Sequence, residues 1–187
     1  MQIAVLGSAT SWHVGDLRRA AGDRHAIVPV TYREMCSRVS PAGTKVSSGQ
    51  CDLDQFGAVL VRSMPPGSLE QIGAALYLQQ FVAHEGCDWR LLVLGDEVLG
   101  MRRRHPHDWR TNISRGAVAE PLEVTAELAE LARRAAGAVG ATVAGVDLLP
   151  GQDGQLYAIE VNAVPGWRAL AEVTRLDVAQ RVLRILE

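Results

Sequence analysis

The segments Gly145-Val146-Asp147-Leu148-Leu149 and Ile159-Glu160-Val161-Asn162 flank Asp153-Gly154, and how this stretch pairs decides the fold of the C-terminal half. Asp-Gly is a favoured two-residue hairpin turn because both residues tolerate positive φ. Folding the chain about it pairs Gln152 with Gln155, Leu149 with Ala158, and Asp147 with Glu160. Strand side chains alternate faces, so Glu160 and Asn162 point the same way and Asp147 lies across from Glu160. Two carboxylates so opposed repel unless a cation sits between them. Oxygen donors select a hard ion, Mg²⁺ first and Mn²⁺ as the alternative. The same residues also fit a solvent-facing polar patch.

Outward from the hairpin, Arg90–Leu94 and Val98–Met101 flank Gly95-Asp96-Glu97 and predict a second hairpin. Asp88-Trp89-Arg90 opens one strand, Arg102-Arg103-Arg104 closes its partner, and Trp109-Arg110-Thr111-Asn112 follows. If these strands lie beside the Asp147 hairpin, guanidinium groups converge on the cation. A carboxylate-bound metal with several Arg is the layout expected for a polyphosphate, because the metal bridges phosphate oxygens and Arg offers fork-shaped donors. Arg102–Arg104 taken alone fits a solvated charge run better than a site. Residues 125–139 predict an amphipathic helix with Thr125 as N-cap and Leu128, Leu131, Ala132, Ala135 and Ala136 inward, and Asp177–Leu186 predicts a closing helix. Leu76–Val82 reads as a strand or short helix.

The first 70 or so residues read differently. Gln2–Gly7, Ala26–Val30 and Ala58–Arg62 are apolar runs of strand length, with a helix expected around 14–21 after the loop Ser8–His13. The stretch 40–50 is rich in Ser, Gly and Pro and predicts a loop, and Met64-Pro65-Pro66-Gly67 predicts a turn. Strand–helix–strand–strand with Gly after the first strand suggests a small Rossmann-like unit. The expected fold class is therefore α/β, passing to α+β with an antiparallel sheet in the C-terminal half. The domains are expected at 1–72 and 73–187.

Composition limits the function classes. At 187 residues, 48% apolar and a formal net charge of −2, the chain is an ordinary globular protein without a general bias toward nucleic acid. It has no apolar run long enough to span a membrane, and its opening residues are too short for a signal peptide. Cys36, Cys51 and Cys87 lack metal-type spacing and read as reduced thiols in a cytoplasm. Of 19 basic residues, Lys45 is the single lysine, so chemistry that needs an ammonium uses Lys45 or none. His105 and His107 read as an exposed pair rather than metal ligands, Cys87 as a buried inert thiol, and Gly7-Ser8 as a weak phosphate-loop signal.

From Tyr77 onward the sequence resembles the RimK-like ATP-grasp ligases. Leu78-Gln79-Gln80-Phe81-Val82 is similar to the adenine-side hinge, and Gly86-Cys87-Asp88-Trp89-Arg90 to a Gly-x-Asp-x-Arg element. Met101-Arg102-Arg103 and Trp109-Arg110-Thr111-Asn112 resemble the Met-x-Arg and Phe-Arg-x-Asn elements. Gly145-Val146-Asp147, Glu160-Val161-Asn162 and Pro165-Gly166 match the terminal metal motif. The first 70 residues or so resemble the pre-ATP-grasp domain of one branch.

The resemblance implies an ATP- and Mg²⁺-dependent carboxylate–amine ligase of glutamate-ligase type, working through an acyl phosphate. Asp147, Glu160 and Asn162 would hold the metal. Arg103 and Arg110 would neutralise the transferring phosphoryl group, and Arg90 would position phosphate or substrate. Gln79, Gln80, Phe81 and Asn112 would contact the nucleotide. The partners implied are a carboxylate of a small molecule or cofactor precursor, an amino acid such as glutamate, and a second copy of the chain. Neither nucleic acid nor membrane is expected. Asn162–Trp167 resembles the branch linked to tetrahydromethanopterin-type cofactor synthesis.

Departures weaken the ligase expectation. A long segment that would carry the central subdomain, the lid and two lysines is missing between Gln71 and Tyr77. The hinge Glu is Gln80, and no lysine follows Lys45. The alternative is a non-catalytic ATP-grasp remnant that binds nucleotide or metal as a regulatory or scaffolding subunit. An apolar sheet face left uncovered by the missing segment is expected to drive self-association.

Overall fold

The computed structural model describes residues 1–40, 43–62 and 80–187. The chain divides into two compact units, Met1–Tyr77 with Leu186–Glu187, and Leu78–Ile185. The domain boundary expected between residues 72 and 73 and the turn Met64–Gly67 lie outside the described residues. So does most of Leu76–Val82, of which residues 80–82 take no regular element.

In the first unit, β1 (Gln2–Leu6), β2 (Ala26–Val30) and β6 (Ala58–Val61) form a parallel sheet in the order β2-β1-β6. Ile3, Ala4, Val5 and Leu6 are all buried, as a central parallel strand covered on both faces demands. α1 (Trp12–Ala21) starts where Ser11 Oγ accepts a hydrogen bond from Val14 N at 3.2 Å, and it turns Val14, Leu17 and Ala21 inward.

A second, antiparallel sheet of β3 (Met35–Ser40), β4 (Gly43–Ser48) and β5 (Cys51–Asp52) occupies the segment expected as loop. Its strands are short and polar, so a reading that looks for apolar runs passes over them. Pairing rests on the ladder itself and on β-branched residues such as Thr44 and Val46.

The second unit is built on a five-stranded antiparallel sheet in the order β11-β10-β7-β8-β9. Its strands are β7 (Cys87–Leu94), β8 (Glu97–Arg104), β9 (Val118–Pro121), β10 (Val143–Pro150) and β11 (Leu156–Asn162). One face carries Leu91, Val93, Ala144, Val146 and Leu148, packed against Ala132 and Ala136 of α2 (Ala126–Ala138). Each large side chain buried there contributes about 1.5–3 kcal/mol of transfer free energy. Thr125 caps α2 through Oγ1, which accepts from Leu128 N at 3.3 Å, and Leu128, Leu131 and Ala135 pack on the same cluster as expected.

The opposite face is divided. Met101, Leu92 and Leu94 are buried there. α3 (Arg168–Thr174) lies against β8 and β9, and α4 (Val178–Leu186) is tied to the start of β8 by the Arg181–Glu97 ion pair. The other end of this face carries charge. No open apolar sheet face exists among the described residues. The exposed large apolar side chains of this unit, Phe81, Trp109, Ile113, Val118, Val139 and Ile159, sit in loops, at element ends or on an edge strand. The expectation of an uncovered apolar face is thus corrected, because α2 covers one side and the other is shared between a C-terminal helix and the charged network.

The β10–β11 hairpin keeps the Asp147–Glu160 pair but not the pairing nearer the turn. Gly151 N donates to Gln155 O at 2.8 Å, so the loop is Gln152-Asp153-Gly154, with Gly154 at φ 77. Leu149 consequently faces Tyr157 rather than Ala158. A bulge between the Leu148–Ala158 and Asp147–Glu160 pairs then absorbs Ile159 as an extra residue. The longer loop and the bulge cancel, which restores Asp147 opposite Glu160.

Candidate functional site

The charged end of the sheet is set by register. Asp88 and Arg90 share a face of β7 because they are two residues apart. Arg103 of β8 lies opposite Asp88, and Asp147 of β10 lies opposite Arg90. The four side chains form one connected network. Arg90 Nε and a terminal guanidinium nitrogen donate to the two oxygens of Asp147 at 2.6 and 2.5 Å. Arg103 donates to Asp147 Oδ2 at 2.9 Å and grips Asp88 through two nitrogens, with Nε at 2.7 Å from Oδ1.

Asp88, Arg103 and Asp147 are buried. Two acids and two guanidiniums sum to zero, which is what permits burial, since an unpaired charge here would cost several kcal/mol. Burial disfavours the ionised form of Asp147, but the Arg90 hydrogen bond and the charges of Arg90 and Arg103 outweigh it. The carboxyl is held below its ordinary value. Arg103 likewise is opposed by burial, overcome by Asp88 and Asp147, and its pKa is raised.

Glu160 is exposed and carries no side-chain ion pair among the described residues. Asn162 faces Gly145 across the ladder, and its Oδ1 accepts from Val164 N at 2.8 Å. A Cβ on Gly145 would stand 3.0 Å from Pro165 Cβ, so the chain leaves β11 close against β10 through a Val-Pro-Gly segment anchored by buried Trp167. The donor set is two carboxylates and an amide, all oxygen, on one face of adjacent strands. That set fits Mg²⁺, which uses one or two carboxylates and completes its shell with water and phosphate. No group of three His, Cys, Asp or Glu suited to a metal exists among the described residues. A cation here would therefore need Asn162 or other oxygen ligands besides the two carboxylates.

Of the three consecutive arginines, only Arg103 joins this network. Arg102 points to the other face, where Nε donates to Glu120 at 2.7 Å, and Arg104 is exposed. Arg110 is not drawn in by any contact among those described. Asp108 holds it, accepting from its backbone N at 3.0 Å and from its guanidinium at 2.8 Å. That hydrogen bonding pulls the Asp108 pKa down to about 2.

Arg110 also lies 5.6 Å from the Trp109 ring, which meets Phe81 edge-on at a centroid distance of 5.6 Å. Gln80 and Phe81 thus line a cleft of about 430 Å³ with Val82, Ala83, Asp153 and Tyr157. Gln79 lies outside the described residues. Asn112 is exposed at the head of a 3-10 turn over Ile113–Arg115, and its side chain makes no cap.

Sequence reasoning gave no role to Asp88, Asp108 or His105, each of which holds one of the arginines or the loop that carries it. Asp88 could have been found from its even spacing to Arg90, which puts both on the carboxylate face. His105 organises the loop that carries Arg110. Its Nδ1 accepts from His107 N and Asp108 N at 3.1 and 2.8 Å, while Nε2 lies 3.2 Å from the Arg115 carbonyl. Those partners assign the proton to Nε2. Both ring nitrogens are thus engaged by backbone groups. Cys87 is buried, and burial raises its thiol pKa, consistent with an inert thiol.

In the first unit a larger cleft, about 930 Å³, opens at the carboxyl ends of β1 and β2, but among the described residues lining it only Arg33 and Glu34 are charged. It offers no carboxylate pair.

The antiparallel sheet, backed by α2 on one face, thus presents a carboxylate–guanidinium network on the other. The family of the RimK-like ATP-grasp domain matches residues 40–186, and the chain belongs to that family. It is 40% identical over 111 residues to the tetrahydromethanopterin:alpha-L-glutamate ligase of Methanococcus maripaludis, covering 58% of this chain and 38% of that protein. It is 38% identical over 119 residues to the ribosomal protein bS6–L-glutamate ligase of Escherichia coli, covering 62% and 39%. The chain spans well under half the length of these relatives.

Among solved structures, the ATP-grasp ligase PsnB, in a complex with a precursor variant, Mg and ADP, superposes with a TM-score of 0.70 at 15% identity, over 98% of this chain and 97% of that one. A RimK domain ATP-grasp protein from Sphaerobacter thermophilus gives 0.64 at 16% identity, over 100% and 99%. These likenesses establish the fold. No helix among the described residues is long and apolar enough to cross a membrane.

Proposed function

We propose that residues 73–187 form the metal- and phosphate-binding part of an ATP-dependent carboxylate–amine ligase, with residues 1–72 as its pre-ATP-grasp domain. The observation that supports this most is Asp147, opposed by Glu160 on one side and held by Arg90 and Arg103 on the other. Asp147, Glu160 and Asn162 would hold Mg²⁺ or Mn²⁺, which when bound screens phosphate charge and orients the polyphosphate.

The chain's own groups supply the rest. Arg103, fixed by Asp88, presents a rigid positive charge to the transferring phosphoryl group, and Arg90 offers a forked donor to phosphate or substrate. Arg110, on its His105-organised loop, adds a third guanidinium. Gln79, Gln80, Phe81 and Asn112 take the nucleotide, with Phe81 as an apolar edge for the base.

In the reaction a substrate carboxylate oxygen attacks the γ-phosphorus and ADP leaves, giving an acyl phosphate. The amine then attacks the acyl carbon, phosphate departs, and the nitrogen loses a proton to leave an amide. The glutamate ligases among the relatives support glutamate as the amine. A cofactor-precursor or protein carboxylate is the acceptor class. The free thiols support a reducing, cytoplasmic setting.

Titration of the full chain with ADP and Mg²⁺ by calorimetry tests the site. Binding heat that disappears in Glu160→Gln is expected, and equal heat in both proteins rejects it.

A second reading is supported by the absence of any lysine after Lys45. It is a non-catalytic subunit that binds nucleotide at the same residues and regulates or scaffolds a partner. Acyl-phosphate trapping with hydroxylamine separates the two, since only the ligase yields hydroxamate. Light scattering with and without ADP reports whether copies associate.

A further inference from the structure

Asp147 is already saturated on one side. Its Oδ2 accepts from both Arg90 and Arg103, and its Oδ1 accepts from Arg90 Nε. One lone-pair direction on Oδ1 is left for any further partner. A divalent cation arriving there would also stand beside two guanidinium charges. Release of one of them would relieve that repulsion.

The two guanidiniums are not equally held. Arg103 has a second carboxylate, Asp88, which grips it through two nitrogens, and its side chain is only 6% exposed. Arg90 makes no ion pair among the described residues except with Asp147, and its side chain is 16% exposed. Arg103 is the fixed partner and Arg90 the releasable one.

We propose that Arg90 is an exchangeable counter-ion of the cation site. It caps Asp147 while no cation is bound, is displaced from it when a divalent cation binds, and is thereby released to a phosphate oxygen of the nucleotide. This deepens the ligase reading and rests on Asp147 and Glu160 being the cation site. The consequence is coupling. A cation alone must displace a forked ion pair and gains little. Polyphosphate alone finds Arg90 engaged. Together they exchange partners without leaving a buried charge unpaired, so each raises the affinity for the other by the same factor.

The experiment titrates the full chain with Mn²⁺, following free Mn²⁺ by electron paramagnetic resonance, with and without ADP. Wild type is expected to bind Mn²⁺ weakly alone and at least about tenfold more tightly with ADP. Arg90→Met is expected to bind Mn²⁺ alone about tenfold more tightly than wild type, with the ADP enhancement largely lost. Loss of enhancement is the informative readout, since removing any nearby positive charge would tighten Mn²⁺ binding somewhat.

Arg90→Met with wild-type Mn²⁺ affinity, or with the ADP enhancement intact, overturns the proposal while leaving the site standing if Glu160→Gln weakens binding. Unaltered Mn²⁺ binding in Glu160→Gln removes both the site and the proposal. If Arg90→Met does not fold, Arg90→Lys decides. An ammonium cannot make the forked contact, so tighter Mn²⁺ binding with reduced enhancement supports the exchange and wild-type behaviour overturns it.

Discussion

Asp88 and Arg103 face each other across β7 and β8, and two guanidinium nitrogens meet the two oxygens of one carboxylate inside the protein. The pair fixes the position of the arginine that also touches Asp147. Asp88→Asn removes the negative charge and leaves a buried guanidinium shared with Asp147 alone. Breaking a buried pair from one side costs about 3 kcal/mol, and urea unfolding of the full chain should show a loss of that order. Asp88→Asn should also weaken nucleotide–Mg²⁺ binding, because Arg103 is no longer held in place. A stability within a few tenths of a kcal/mol of wild type would contradict the structural role.

Asp147 sets a pH dependence. Burial opposes its ionisation, and Arg90 and Arg103 overcome that to hold its pKa below the ordinary 3.8. A depressed folded pKa means that this stabilisation is fully present above the unfolded value. It is lost as pH falls through the folded one. The stability deficit of Asp147→Asn relative to wild type should therefore be constant between about pH 7 and 5 and narrow below about pH 4. Urea midpoints measured in parallel at several pH values check this, and a deficit unchanged down to strongly acid pH would refute the assignment.

The placement of this network was readable from the sequence for a reason that was partly accidental. Asp153-Gly154 reads in sequence as a two-residue turn, whereas Gly154 closes a three-residue loop, with Asp153 Oδ1 accepting from Gln155 N at 3.0 Å and Oδ2 from the Tyr157 hydroxyl at 2.6 Å. That shifts the ladder by one until Ile159 bulges out and shifts it back. Loop length and bulge are both set by local hydrogen bonding, which a period-two pattern does not encode.

Apolar periodicity did reveal α2, the β7–β8 hairpin and the parallel core of the first unit, because burial writes itself into residue type. The polar strands β3 and β4 left no such signal. Residue type alone does not separate Arg103 from Arg102 and Arg104, since three adjacent arginines alternate faces; the Met-x-Arg resemblance selects Arg103, and the register places it inward.

Gly100 tests the packing behind the site. It lies on the core side of β8 opposite Leu91, and a Cβ there would stand 2.6 Å from Val124 Cγ2 and 3.0 Å from Leu91 Cδ2. Both atoms are packed on the α2 cluster and have little room to retreat. Gly100→Ala should lower stability by about 2 kcal/mol through overpacking, read from the denaturant midpoint at unchanged slope. Unaltered stability would mean that Val124, which precedes α2 outside any strand, yields freely.

His105 gives the sharpest test of how Arg110 is presented. Its Nδ1 receives the backbone N–H groups of His107 and Asp108, and Asp108 in turn receives the backbone and guanidinium of Arg110. The loop is closed at its base by His105 N donating to Gly86 O at 2.9 Å, where Gly86 takes φ 63 and a Cβ would stand 2.9 Å from the His105 carbonyl. His105→Ala deletes the acceptor for two amides without touching the sheet. Hydrogen exchange at His107 and Asp108 should accelerate while the global unfolding midpoint stays within the range of an ordinary surface change, about 0.5 kcal/mol. ADP–Mg²⁺ affinity should fall, because Arg110 loses the turn that aims it. Unchanged exchange at both amides would show that the loop holds without the imidazole, and Arg110 would then owe its position to Asp108 alone.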